Sequence, residues 1–345
     1  MMAPMSGEAT PAPQVRFGVT PPLEVTGIPA AIDIAVRAEA LGYTDVWTAE
    51  VGAVDAFTPL AAIAVRTERV QLGTGLIPVY TRPPALVAMS AASIQELSNG
   101  RFVLGIGASS PAIVGGWMGL SFADPVQRVE EYVTLLREML AGRKVNHDGT
   151  TVRSEGFRLQ VAVEHPIPIH VGALGPRMCR LAGRLADGVL FFLMTPAGVR
   201  RALEEVAAGA REAGRDPAGI EAFIRLPVIL DEPEDVVRLM ARRMLTGYAT
   251  VPAYKASLAR QGFESEADAI ARAWAAGERD RATESVTDEM LQETFLFGDA
   301  AACRARIDEF RAAGISTPVL MPLSVAGSPG ERTERVTGTV EALAP

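Results

Sequence analysis

Along the chain, short continuous apolar runs alternate with longer stretches in which apolar positions return every three or four residues. The short runs are VRFGVT at 15–20, DVWTA at 45–49, VQLGTGLI at 70–77, RFVLGIG at 101–107, IPIHV at 167–171, GVLFFL at 188–193, AFIRLPVIL at 222–230 and PVLM at 318–321. Unbroken apolar character of this length marks strands buried on both faces, as in a parallel sheet covered by helices. Between the runs, Thr58-Pro59, Asp124-Pro125 and Thr195-Pro196 each set a capping oxygen before a proline, which predicts helix starts. Eight strand-loop-helix units predict an α/β fold of the TIM (β/α)8 barrel type. GIGASS at 105–110 lacks the third glycine of a dinucleotide loop, which argues against an open doubly wound sheet.

Two segments break the rhythm. Within residues 143–163, Asp148-Gly149 is flanked by alternating residues, predicting a β-hairpin excursion before strand 5. Residues 246–294 form a long helical insertion before strand 8, in which Ser265 and Asp268 resemble a capping box and Ile270 and Trp274 share a helix face. This insertion serves extra packing or a subunit contact, or else a lid over the strand ends. Residues 1–14 have neither a basic start nor an apolar block and read as a disordered Ala/Pro tail, leaving 15–345 as a single barrel domain.

Charge and composition narrow the function. A net charge of -8 argues against nucleic acid, whose phosphates call for a basic surface. No run approaches the roughly 20 apolar residues that cross a bilayer, so no membrane role is expected and the chain reads as cytoplasmic, with small molecules as partners. Cys179 and Cys303 lie far apart within helical patterns and read as core residues in a reducing compartment. His147, His165 and His170 show no metal-type spacing, so no metal centre is expected, and His170, inside the fifth strand, reads as a core histidine. Lys144 and Lys255 end no strand, which removes Schiff-base chemistry.

A barrel carries its chemistry at the strand C-termini and the loops beyond them. Glu50, with Asp55 shortly after, follows the second strand and is the candidate proton relay, or else a loop cap. GTGLIPVYTRPP after the third strand and ASSPAIVGGWMG after the fourth are poor in charge and suit a flat, apolar ring. In VGALGPRMCRLAGRLADGVLFF, at 171–192, two glycines lead into a helix opened by Pro176. Its free amides attract anions, and a bound anion would reverse the mild penalty the helix dipole places on Arg177; an ordinary strand-to-helix turn is the alternative. The side chains supply shape, and the electron chemistry must come from elsewhere.

GYTDVWTAE at 42–50, VQLGTGLIPVYTRPP at 70–84, GRFVLGIGASS at 100–110, VGALGPRMCRLAGRLADGV at 171–189 and GDAAACRARIDEFRAAGI at 298–315 together resemble the bacterial luciferase-like superfamily, and within it the coenzyme F420-dependent oxidoreductases. The resemblance implies a TIM barrel whose third strand ends in a non-prolyl cis peptide, here Gly75-Leu76, propping the cofactor ring. It implies that Gly107, Ala108, Ser109 and Ser110 border the ring and that Gly172, Ala173, Leu174, Gly175, Pro176 and Arg177 hold the phosphate. Trp47, Ser109, Ser110 and Ile113 then shape the substrate pocket, and a homodimer is expected. In the sugar-phosphate dehydrogenases of the superfamily a histidine ends the second strand and a glutamate follows the fourth; Glu50 and Ser110 stand there instead, and the phosphate-binding lysines are missing, so a sugar phosphate is not the expected substrate. The implied reaction is hydride transfer between F420 and a small organic substrate with a C=C, C=N or carbonyl group, with Glu50 relaying the proton. The alternatives are an FMN-dependent monooxygenase and a non-catalytic flavin-binding barrel.

Overall fold

The structure, a computed structural model, describes residues 15–345; the tail expected over residues 1–14 lies outside the described residues. The strands are β1 (Gly18–Val19), β2 (Asp45–Thr48), β3 (Gln71–Thr74), β4 (Ile77–Pro78), β5 (Phe102–Gly107), β6 (Val145–Asp148), β7 (Arg153–Phe157), β8 (Ile169–Gly172), β9 (Gly188–Phe192), β10 (Glu221–Leu230), β11 (Leu296–Gly298) and β12 (Thr317–Pro322). Parallel pairing runs β1, β2, β3, β5, β8, β9, β10, β12 and back to β1, which closes an eight-stranded barrel. Each expected apolar run supplies one stave. β4 pairs with β5 above the bulge that ends β3, and β11 adds to β10 outside the cylinder.

The excursion is a two-stranded antiparallel sheet of β6 and β7, with Asp148 opposite Arg153. Its turn is tied down by Glu131, a buried carboxylate accepting from the amides of Thr150, Thr151 and Val152 and the Thr151 hydroxyl at 2.8–3.0 Å. Burial pushes the Glu131 carboxyl upward, but these bonds and one from Gln127 outweigh it and bring it down to about 2.

The helix starts follow the proline signal in part. Thr195 caps the helix Pro196–Glu212 by accepting from the Gly198 amide at 2.9 Å. The next site differs: the helix Phe57–Ala64 begins before Thr58, and Asp55 accepts from the amides of Phe57 and Thr58 at 3.0 and 2.9 Å. Pro59 is accommodated because first-turn amides lack an intrahelical acceptor. Asp124 precedes Pro125 but makes no side-chain cap bond. Helices between β10 and β11 begin at Glu234, earlier than the expected 246. The capping box at Ser265 is not formed, because a kink at Gly262 sets the N-cap of the helix Glu264–Ala275 at Phe263 and leaves Ser265 in the first turn; Asp268 pairs with Lys255 at 2.7 Å instead. Ile270 is buried in a separate apolar cluster of the insertion that also includes Leu245, Phe263 and Met290, while Trp274 is exposed.

Candidate active site

Alternate residues on each stave point into the barrel. Trp47, Val103, Phe223 and Val319 pack together there as a floor, with Leu190 against them and His170 stacked on Trp47 and tilted against Phe223 at ring separations of 6.0 and 4.7 Å. Trp47 fits because Gly73 has no side chain: a Cβ there would stand 2.3 Å from the indole. His170 is fully buried, its two ring nitrogens lack hydrogen-bond partners, and burial with Arg16 beside it pushes its pKa down to about 3. It is a neutral core residue, as expected, held by stacking rather than by hydrogen bonds.

One step toward the strand C-termini the inward positions divide into two kinds. Gly75, Gly107 and Gly172 bring no side chains to the side of β3, β5 and β8, whereas Phe192, Arg225 and Met321 fill the side of β9, β10 and β12. The Leu76 side chain lies across the glycines: a Cβ on Gly107 would be 2.6 Å, and one on Gly172 2.3 Å, from its Cδ2. The Gly75-Leu76 peptide is cis, at the position the resemblance implied. Arg225 Nη1 donates to the Gly75 carbonyl at 3.1 Å, and the Glu50 amide donates to that of Leu76 at 3.1 Å. Leu76, Gly107 and Gly172, named from separate parts of the chain, therefore form one shelf.

Beside the shelf, Ala108 and Ser109 are half-buried, Ser109 in the left-handed region at φ 64°. Ser110 is buried and accepts from the Ile113 amide at 3.3 Å. Farther along the mouth, residues 172–177 lead into the helix Pro176–Leu185, with Gly175 at its N-cap and Pro176 first, as expected. Among the described residues the amides of Leu174, Gly175, Arg177 and Met178 have no acceptor. Arg260, from the insertion, donates to the Leu174 carbonyl at 3.0 Å and so adds a second cation to Arg177 there. Sequence reasoning missed Arg260, since nothing in ARQGF shows where the insertion folds.

Across the mouth lies a cavity of about 360 Å³. Thr20 and Leu23 after β1, Ala49 and residues 51–54 after β2, Arg225, Met321 and Leu323 line it, with Met244 and Tyr248 brought by the insertion. The insertion is thus a wall of the mouth, pinned by Gln261 Oε1 accepting from the Thr195 amide at 2.6 Å. Trp47 and Ile113, expected in the substrate pocket, do not line this cavity: Trp47 is 3% exposed in the floor, and Ile113 sits above the loop after β5. Glu50 also turns aside. Its carboxylate accepts from Arg82 Nε at 3.0 Å and Nη2 at 2.7 Å and from the Ala56 amide at 3.3 Å. The hydrogen bonds to Glu50 hold the Arg82 guanidinium above its usual value. An arginine on the inward phase of AFIRLPVIL was the signal that could have found Arg225, a position a buried strand normally gives to an apolar residue.

The profile of the family described as luciferase-like monooxygenase matches residues 11–317. The chain belongs to this family. Among its relatives, a 5,10-methylenetetrahydromethanopterin reductase from Methanolobus tindarius is 32% identical over 298 residues, 86% of this chain and 89% of the relative. The solved coenzyme F420-dependent tetrahydromethanopterin reductase from Methanopyrus kandleri superposes with a TM-score of 0.79 at 24% identity, covering 96% of this chain and 100% of that one. An F420-dependent secondary alcohol dehydrogenase in complex with an F420-acetone adduct gives 0.76 at 20% identity, covering 96% and 99%. These likenesses agree with the TIM barrel reached from the strands.

Proposed function

We propose that the protein is a coenzyme F420-dependent oxidoreductase that moves a hydride between the deazaflavin and a small organic substrate. The observation that carries the reading is the shelf. Gly75, Gly107 and Gly172 clear one half of a barrel mouth whose other half is filled, and the relatives named above include F420-dependent enzymes. A planar ring fits a cleared, apolar ledge, and the free amides after β8 with Arg177 and Arg260 fit a phosphate tail. When bound, the deazaflavin supplies the hydride chemistry that no side chain here supplies. The chain's own residues then divide the work: Leu76, Gly107, Ala108, Ser109 and Ser110 orient the ring, residues 172–177 anchor its tail, and the cavity beside Arg225 holds the substrate. Glu50 is the proton relay in this reading, with its carboxylate positioned by Arg82 Nη2 at 2.7 Å.

The insertion walls the cavity and leaves about 360 Å³ of room beside Arg225, which favours an enzyme over a sealed flavin store. We also read the protein as a cytoplasmic homodimer, because Leu86, Met89 and Leu97 expose an apolar face on the helix Pro84–Leu97 and both cysteines are buried free thiols. No helix among the described residues is long and apolar enough to cross a membrane. Visible and fluorescence titrations with F420 and with FMN test the cofactor. Tight F420 binding is expected, and so is single-turnover reoxidation of reduced F420 by an enone or imine, read as the return of the visible absorbance of the oxidised deazaflavin. Preference for FMN, with oxygen consumed stoichiometrically with product, would replace this reading with a monooxygenase.

A further inference from the structure

We propose that the cavity beside Arg225 selects monocarboxylate substrates, with the Arg225 guanidinium as the cation that grips the carboxylate and the Thr20 hydroxyl as a second donor. The inference rests on reading the mouth as an oxidoreductase site and adds the substrate class. It begins from an unbalanced charge. Arg225 Nη1 donates to the Gly75 carbonyl, and its guanidinium lies 4.5 Å from the centre of the Phe192 ring. Its Nε is buried without a partner, and among the described residues no carboxylate comes within ion-pair distance of it.

Other partly buried arginines are satisfied differently. Arg16 sits on Asp45 and Glu221, Arg82 on Glu50, and Arg101 donates to the carbonyls of Ala64, Thr67, Val70 and Ser98. A guanidinium taken out of water with one carbonyl and one ring face for company retains unused donors, and an anion is the partner that repays its desolvation. Thr20 gives an independent pointer to the same place: it is 6% exposed, its Oγ1 has no partner, and it lines the same cavity.

The remaining wall sets what the anion is attached to. Leu23, Val54, Met244, Met321 and Leu323 are apolar, so the body of the ligand is apolar too. A single cation with no lysine near it suits one negative charge rather than a phosphate dianion. Glu24 stands exposed at the rim of the cavity and repels a second carboxylate. The geometry describes an amphiphilic acid whose carboxylate is held at Arg225, beside the shelf on which the ring would lie.

Calorimetry of the apoprotein with benzoate and benzamide, near isosteres that differ in charge, tests the inference without cofactor or turnover. Benzoate is expected to bind at least about tenfold tighter. In Arg225→Met this preference is expected to fall to within about threefold, with benzamide affinity little changed, and Arg225→Lys to lie between, since it keeps the charge but not the fork. Equal binding of the two probes by the unaltered protein, or a preference that survives Arg225→Met, overturns the proposal. Should Arg225→Met fail to fold, Thr20→Val is read instead: a loss of benzoate affinity of about threefold or more, with benzamide unaffected, supports the site, and no selective loss refutes it. The F420 titration is scored separately. Arg225-dependent benzoate binding without F420 binding keeps this inference and sinks the cofactor reading, and the converse result sinks this one alone.

Discussion

Substituting Gly172 by alanine places one methyl group where the shelf is most crowded. The new Cβ would lie 2.3 Å from Leu76 Cδ2, against an ordinary carbon–carbon contact of about 3.5–4.0 Å, so the Leu76 tip must withdraw by more than about 1 Å. The nearest backbone atom, the Ile106 carbonyl, is 3.6 Å away and unaffected, and Leu76 is half-buried with room to turn. Pushing a leucine off its rotamer costs about 0.5–1.5 kcal/mol, and replacing glycine by alanine at a compatible backbone position returns about 0.4–1 kcal/mol from the unfolded state. Stability should therefore change by less than about 1 kcal/mol. The displaced isobutyl group must leave the place it holds across Gly107 and Gly172, which reshapes the surface proposed to carry the ring, so F420 affinity should fall at least about tenfold, or about 1.4 kcal/mol. Gly183→Ala is the contrasting variant: its Cβ would meet the Val206 carbonyl oxygen at 2.0 Å, a backbone contact that cannot rotate away, and it should lose about 1–3 kcal/mol of stability. Thermal unfolding and F420 fluorescence titration of both variants separate packing from ligand space. A Gly172→Ala protein that melts like the unaltered one and binds F420 within twofold of it refutes the shelf.

Three further outcomes are expected. Glu131 has a folded-state pKa of about 2 against an ordinary 4.5, so its stabilisation, roughly 3 kcal/mol, is fully present above about pH 4.5 and lost as pH falls toward 2; Glu131→Gln should remove most of it at pH 7 and flatten urea-unfolding stability across that acid range. Glu50→Gln should keep F420 affinity and lose most turnover in single-turnover assays; turnover that survives the substitution would leave Glu50 a loop anchor only. Met89→Glu, a charge on the apolar face shared with Leu86 and Leu97, should convert a dimer to a monomer by light scattering, and an unchanged mass would place any subunit contact elsewhere.

The barrel was legible because its determinants are local in sequence. A stave buried on both faces must be apolar without alternation, and each of the eight runs met that condition on its own. The hairpin was legible for the same reason, since Asp148-Gly149 names its turn. Helix starts were read less well where two capping groups compete. Near Thr58, Asp55 reaches the first free amides before threonine does, and the helix begins earlier. At Ser265 the capping pattern is present in the sequence, but the kink at Gly262 starts the helix at Phe263, which leaves Ser265 inside the first turn.

The candidate site was less legible from the residues themselves. Gly75 and Gly107 entered through the family resemblance, and of the three shelf glycines only Gly172 stood out by itself, as a small residue leading an apolar run into a helix start. Side-chain roles depend on direction, which the sequence gives only once the inward phase of each strand is known. Trp47 shares that inward phase with Gly75 and Arg225 but lies one step lower, beside Phe223, and so becomes floor rather than wall. Arg225 lies two residues beyond Phe223 on the same face of β10, which puts it at the mouth. That two-residue step separates a core aromatic from a ligand-facing cation. It is also why a charge that breaks an apolar strand is better evidence for a binding group than a charge in the loop beyond: Glu50, in the loop, found Arg82 as a partner, while Arg225, on the strand, was left with one carbonyl, one ring face and an open cavity.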